Sequence, residues 1–153
     1  MAENYEDIAN LGWDSIPEPK VLPTGSWLLR TKGATYKPSK DEDKSPQVLF
    51  IYEAREPMSD VDAAELDALG EYDPKTGRIY TRFYVETGND WNNVRMHIEK
   101  HGVETKGKSV PDTLKEVRGK DVIAYLEQRT YINNTTGAQV TENTAKQFAP
   151  VEG

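Results

Sequence analysis

Five segments of this chain alternate with a period of two residues, and a single amphipathic helix falls between the third and the fourth. That order leaves few folds open. The plainest segment is Arg78 to Glu86 (RIYTRFYVE). In an extended strand Ile79, Thr81, Phe83 and Val85 fall on one side, and Tyr80, Arg82 and Tyr84 on the other. Two strands are expected before it. Gly25 to Tyr36 carries Gly33 as a plausible bulge, and Gln47 to Arg55 is rich in aromatic and branched residues. The polar loop Lys37 to Pro46 separates them. After the third strand, Asn89 reads as the N-cap of a helix from Asp90 to His101, with Trp91, Val94 and Ile98 on one face and Gly102 as its stop. Lys106 to Gly119 reads as a basic linker with one helical turn around Leu114 and Val117. Asp121 to Ile132 and Ala138 to Val151 are the last two strands, joined by a turn over Asn133 to Gly137.

Three strands, a helix and two strands is the order of an OB-fold, a mainly β, five-stranded barrel with a helix between strands three and four. At 153 residues the chain reads as one such domain over residues 25–153. Residues 1–24, with Pro17, Pro19 and Pro23 and no sustained period, read as an acidic extended arm anchored by Trp13. Residues 56–74 read as an acidic insert, with a short helix capped by Ser59 and stopped by Gly70, then turn chemistry from Asp73 to Gly77. The absence of cysteine excludes disulfides and thiolate chemistry. No apolar run is long enough for a membrane span, and the first ten residues lack a secretory pattern, so a cytoplasmic location is expected.

The net charge of −7 argues at first against a nucleic-acid partner. Its distribution reverses the argument. Residues 1–19 carry −5 and residues 53–73 carry −7, which leaves +5 on the rest of the chain. A groove for phosphates needs local positive potential, on which net charge does not report. The same acids also serve as a solubility device.

Single-strand binding needs aromatic faces for bases and cations for phosphates. The third strand offers Tyr80, Arg82 and Tyr84 on one face, and Arg78 opens it. Arg30 and Lys32 share a face of the first strand, with Tyr36 in phase if no bulge intervenes. On the second strand either Phe50 and Tyr52 face a ligand with Leu49 and Ile51 inside, or the reverse holds. Arg129 and Tyr131 end the fourth strand in phase. An outward row of tyrosine and arginine is equally the composition of ordinary cross-strand packing.

Other chemistry finds less support. His97 and His101 stand four apart on the helix, but Glu99 is misplaced for an HExxH zinc motif and no cysteine is present. Asp60, Asp62, Glu65 and Asp67 lack the order and the central glycine of an EF-hand loop. No phosphate-binding glycine loop, nucleophile elbow or catalytic histidine constellation is evident, so no catalytic residue, metal site or cofactor is assigned.

Several short stretches resemble phage-encoded OB-fold single-stranded-DNA-binding proteins. They are Gly12-Trp13-Asp14, Leu22 to Trp27 (LPTGSW), Gly77 to Phe83 (GRIYTRF) and Gly119 to Tyr125 (GKDVIAY), spread over residues 12–150. The resemblance implies sequence-tolerant, non-catalytic coating of single-stranded DNA in phage replication, recombination or repair, alongside proteins of those processes. The chain departs from the acidic tail common in such proteins, because Lys146 to Gly153 holds only Glu152. The competing expectation is an acidic OB-fold interaction module that binds a host protein or mimics DNA through residues 1–19 and 53–73.

Overall fold

The computed structural model describes residues 20–38, 45–77 and 79–151. Five antiparallel strands form one sheet: β1 (Gly25–Lys37), β2 (Gln47–Pro57), β3 (Tyr80–Tyr84), β4 (Asp121–Ile132) and β5 (Gln139–Pro150). Three helices accompany them: α1 (Ala63–Leu69), α2 (Gly88–Lys100) and α3 (Val110–Glu116). The strand order is β3-β2-β1-β4-β5, so the sheet is open, with β3 and β5 as its edges. None of the helices among the described residues is long and apolar enough to cross a membrane.

The sheet is strongly curved. In a flat sheet of five strands the two edge strands would stand about 19 Å apart, four spacings of ~4.8 Å. Here Phe83 on β3 and Phe148 on β5 both pack on His97 of α2, with ring centroids 5.2 and 4.4 Å away. Helix α2 therefore sits where the two edges converge, and its Val94, His97 and Ile98 are buried against them. Burial alternates strictly along β4, where Val122, Ala124 and Leu126 face inward. Trp27 and Leu29 of β1, Val48 and Phe50 of β2, and Ile79 and Val85 flanking β3 complete the core.

Several local signals act as anticipated, and some are displaced. Gly70 ends α1 with φ 66°, but the cap is Asp62, which accepts from the Ala64 N–H; Ser59 lies in a turn before it. Helix α2 starts earlier than Asn89. Thr87 accepts from the Asp90 N–H while the Asp90 carboxylate accepts from Thr87, a reciprocal cap. The supposed linker contains α3, begun by Ser109 as cap with Pro111 in its first turn, and it buries Thr113 and Leu114. Strand β3 is shorter than its alternating pattern, although Ile79 and Val85 remain buried on either side.

Residues 1–19, including Trp13, lie outside the described residues. Lys20 to Thr24 do not behave as a loose arm, because Leu22 is fully buried. Asn143 holds it there. The Asn143 side chain accepts from the Leu22 N–H (2.8 Å) and donates to the Leu22 carbonyl (2.9 Å), and the Asn143 N–H donates to Gly77 (3.0 Å). One residue of β5 thus ties the entry to β1 and the turn before β3. Gly77 takes φ 88°, and a Cβ there would collide with Asn143 Oδ1.

Asn143→Ala should therefore lower stability by about 2–4 kcal/mol, because it orphans the buried Leu22 N–H and leaves the Leu22 carbonyl with Gln128 as its remaining donor. Gly77→Ala should be at least as damaging. Urea unfolding followed by tryptophan fluorescence measures both, and a loss below about 1 kcal/mol for Asn143→Ala would remove its role as a tie.

Candidate nucleic-acid interface

One extra residue in β1 decides which side chains share a face. Thr31 pairs with Tyr52 and Gly33 with Ile51, so Lys32 has no counterpart on β2 and forms a bulge. Before the bulge Arg30 and Lys32 point outward while Leu29 and Thr31 are buried. After it the phase is reversed. Ala34 and Tyr36 join Phe50 and Val48 on the inner side, and Gly33 and Thr35 join Ile51 and Leu49 on the outer side.

Tyr36 is consequently not on the face of Arg30 and Lys32. Its ring packs on Trp91 of α2, with centroids 5.7 Å apart. The two alternatives for β2 are also decided. Phe50 and Tyr52 are buried, at 0% and 3% exposure, while Ile51 is 50% exposed. Phe50 and Tyr52 are thus core residues, and Leu49 and Ile51 supply the outer surface.

The third strand behaves as its alternation anticipates. Tyr80 and Tyr84 are 39% and 55% exposed, with Arg82 exposed between them. Register places Tyr80 beside Ile51, Arg82 beside Leu49 and Tyr84 beside Gln47. On β4, Arg129 and Tyr131 point outward beyond Leu126, the last residue of that strand to pair with β1. Arg78 lies outside the described residues.

These elements enclose an open groove of about 690 Å³ on the outer face. Leu49 and Ile51, with the largely buried Tyr52 and Ile79, form its apolar floor, and Tyr80, Arg82, Tyr131 and Lys32 stand around it, with Lys75 and two carboxylates, Glu53 and Glu142. Arg30, Tyr84 and Arg129 share the outward orientation and lie beyond its lining. The Arg82 guanidinium sits 5.7 Å from the centre of the Tyr80 ring, and that of Arg129 sits 5.5 Å from Tyr131. Two tyrosine–arginine pairs, one from β3 and one from β4, therefore face a shared space. Sequence reasoning missed Lys75, Glu53 and Glu142. Lys75 arrives because the turn before β3 runs alongside β2, where the Ala54 N–H donates to Pro74. Its place in a turn-forming stretch gave no hint of that pairing.

Beneath the groove lies a buried polar cluster. Tyr52 Oη is 2.5 Å from His97 Nε2, and Thr31 Oγ1 is 2.6 Å from His101 Nε2. His101 Nδ1–H donates to the His97 carbonyl at 2.8 Å, so its Nε2 is left to accept from Thr31. Burial, with the neighbouring His101 and Lys100 charges adding to it, pushes the His97 imidazole down to about 3. Burial also lowers His101 and raises the Tyr52 phenol. These side chains are structural partners held neutral, and His97 Nε2 and both His101 ring nitrogens are engaged within the core. No group of three or more metal-ligating side chains occurs among the described residues.

No protein-family model matches the chain, and no curated protein matches it.

The cluster makes stability depend on pH. The folded His97 keeps its proton off down to about pH 3, whereas an unfolded histidine takes one near 6.5. Below pH 6.5 the unfolded chain binds more protons, so stability falls as the pH falls, by about 1.4 kcal/mol per unit for this residue. Urea titrations at pH 7 and pH 5 should differ by about 2 kcal/mol on account of His97 alone. His97→Gln should flatten that difference; an equally steep loss in the variant would place its origin elsewhere.

Proposed function

We propose that this chain is a non-catalytic, sequence-tolerant single-stranded-DNA-binding protein whose contact surface is the outer groove across β1, β2, β3 and the distal part of β4. The observation that carries the reading is the pair of tyrosines, Tyr80 and Tyr131, each with a guanidinium over its ring, above an apolar floor of Leu49 and Ile51. Unpaired bases offer two flat faces and little else in common, so a surface that accepts any sequence works through stacking. When a base takes the ring, the displaced arginine is left beside the sugar–phosphate backbone, where its charge is needed. Duplex DNA presents its bases edge-on and would leave both rings idle.

The strand order 3-2-1-4-5, the curvature around α2 and the tie between Asn143 and Gly77 support reading the domain as an OB-fold barrel. In that fold the ligand groove crosses strands two and three, flanked by the loops β1–β2 and β4–β5. That the groove described above also crosses strands two and three supports this reading. A role in phage replication, recombination or repair, with a cytoplasmic location, belongs to the same proposal and rests on the resemblance of the short sequence stretches.

Oligo-dT should quench the intrinsic fluorescence of the protein at low salt. Tyr80→Ala and Tyr131→Ala should each weaken binding by about 5- to 150-fold, which corresponds to about 1–3 kcal/mol per stacked base. Tyr36→Ala, on the opposite face, should leave the affinity within about twofold. Absence of binding at 20–50 mM salt, where the Debye length exceeds ~10 Å and screening is weak, would end the proposal and favour a protein partner for the exposed acidic segment around α1.

A further inference from the structure

We infer that the proposed groove is neutralised by its own carboxylates, so that Glu53 sets how strongly and how salt-dependently a nucleic-acid backbone is held. The inference rests on the nucleic-acid reading and adds to it a regulator of the same site. Outward-facing cations on β1, β3, β4 and β5 number six among the described residues: Arg30, Lys32, Lys37, Arg82, Arg129 and Lys146. Three of them already hold an acid of the same face. Arg30 Nε lies 3.0 Å from Asp121, Lys32 Nζ lies 3.4 Å from Glu53, and Lys146 Nζ lies 2.5 Å from Glu127. Of the remaining three, Arg82 and Arg129 lie over tyrosine rings, and Lys37 stands at the far end of β1, outside the groove's lining.

The pairs differ in where they stand. Lys32 and Glu53 both line the groove, whereas Arg30–Asp121 and Lys146–Glu127 lie outside its lining. Glu53 is also the more enclosed partner, with 14% of its side chain exposed against 50% for Lys32. A phosphate approaching Lys32 finds this carboxylate already against the ammonium group. It must displace it or share the ammonium group with it, and like charges close together in a partly enclosed groove repel strongly. Lys32 therefore contributes far less than a free lysine would. Backbone contacts fall mainly to Arg82 and Lys75, with Arg129 beyond the lining, and stacking carries the rest.

The salt dependence follows. For single strands the slope of log K against log salt is about −0.7 for each phosphate neutralised, so Arg82, Arg129 and Lys75 together give about −2.1, and a released Lys32 would bring this to about −2.8. Glu53→Gln releases Lys32 without removing the side chain's bulk. It should tighten oligo-dT binding about three- to tenfold at 50 mM salt and steepen the slope by about 0.7. Lys32→Gln/Glu53→Gln should return the affinity to within about twofold of the wild type. These titrations use the full chain, with circular dichroism to show that each variant is folded. Tighter binding and a steeper slope for Glu53→Gln, cancelled in the double variant, support the inference. Unchanged or weaker binding by Glu53→Gln, or a gain that survives in the double variant, overturns it and leaves the single-strand reading standing. Absence of binding by every form overturns the single-strand reading itself.

Discussion

The placement of one unpaired residue, Lys32, governs both the core and the groove. Strand β1 is the centre of the sheet, pairing with β2 along one side and β4 along the other. A regular β1 would put Tyr36 on the outer face with Arg30 and Lys32. The bulge turns the phase over, and the cost of one unpaired residue is offset on both sides. Inward, Tyr36 closes over Trp91 at the rim of α2. Outward, small residues, Gly33 and Thr35, follow the cations beside Ile51 and Leu49.

The same register fixes an unusually polar interior. Thr31 and Tyr52 are paired across β1 and β2 and both face inward, each carrying a hydroxyl into the core. An unpaired buried hydroxyl costs a few kcal/mol at most, but two would be a large share of a small domain's stability. Helix α2 answers both with histidines one turn apart. Neutral imidazole is the side chain suited to this, since it supplies a flat apolar ring and a hydrogen-bonding nitrogen together. Phe50, Phe83 and Phe148 accordingly pack against the His97 ring as they would against another aromatic.

How much of this was legible in the sequence depended on whether the deciding contact was local. The alternation of Ile79 to Val85 fixed the faces of β3 without help, and the bounds of β4 follow from its own pattern. Gly33 flagged the bulge, so the fate of Tyr36 was readable as a condition. Phe50 and Tyr52 were ambiguous because Leu49 and Ile51 are just as apolar; what settles them is His97, forty-five residues away from Tyr52. The shifted caps share a simpler cause. Ser59 and Asp62, like Thr87 and Asn89, are all competent caps, and the choice falls to whichever one the preceding strand delivers in an extended conformation. Helix α3 was underread although its signals were present: Ser109 as cap, Pro111 and Asp112 in the first turn. Nothing in the local pattern could have brought Lys75 or Glu142 to the groove, since both arrive through chain tied down at Asn143.

Acidity and nucleic-acid binding are compatible in one chain when charges act over short distances. Helix α1 and its carboxylates are fastened at the beginning of β1, where Asp60 accepts from the Ser26 N–H and hydroxyl. Ser26 and Lys32 are six residues apart along an extended strand, about 20 Å. At physiological ionic strength the Debye length is ~8 Å, so the field of Asp60 has decayed through more than two such lengths before it reaches Lys32. Glu53 is within contact distance of Lys32 and no ion atmosphere intervenes. The total of −7 therefore describes how the molecule behaves in bulk. What a phosphate meets at the groove is decided by a few pairs a few ångströms long.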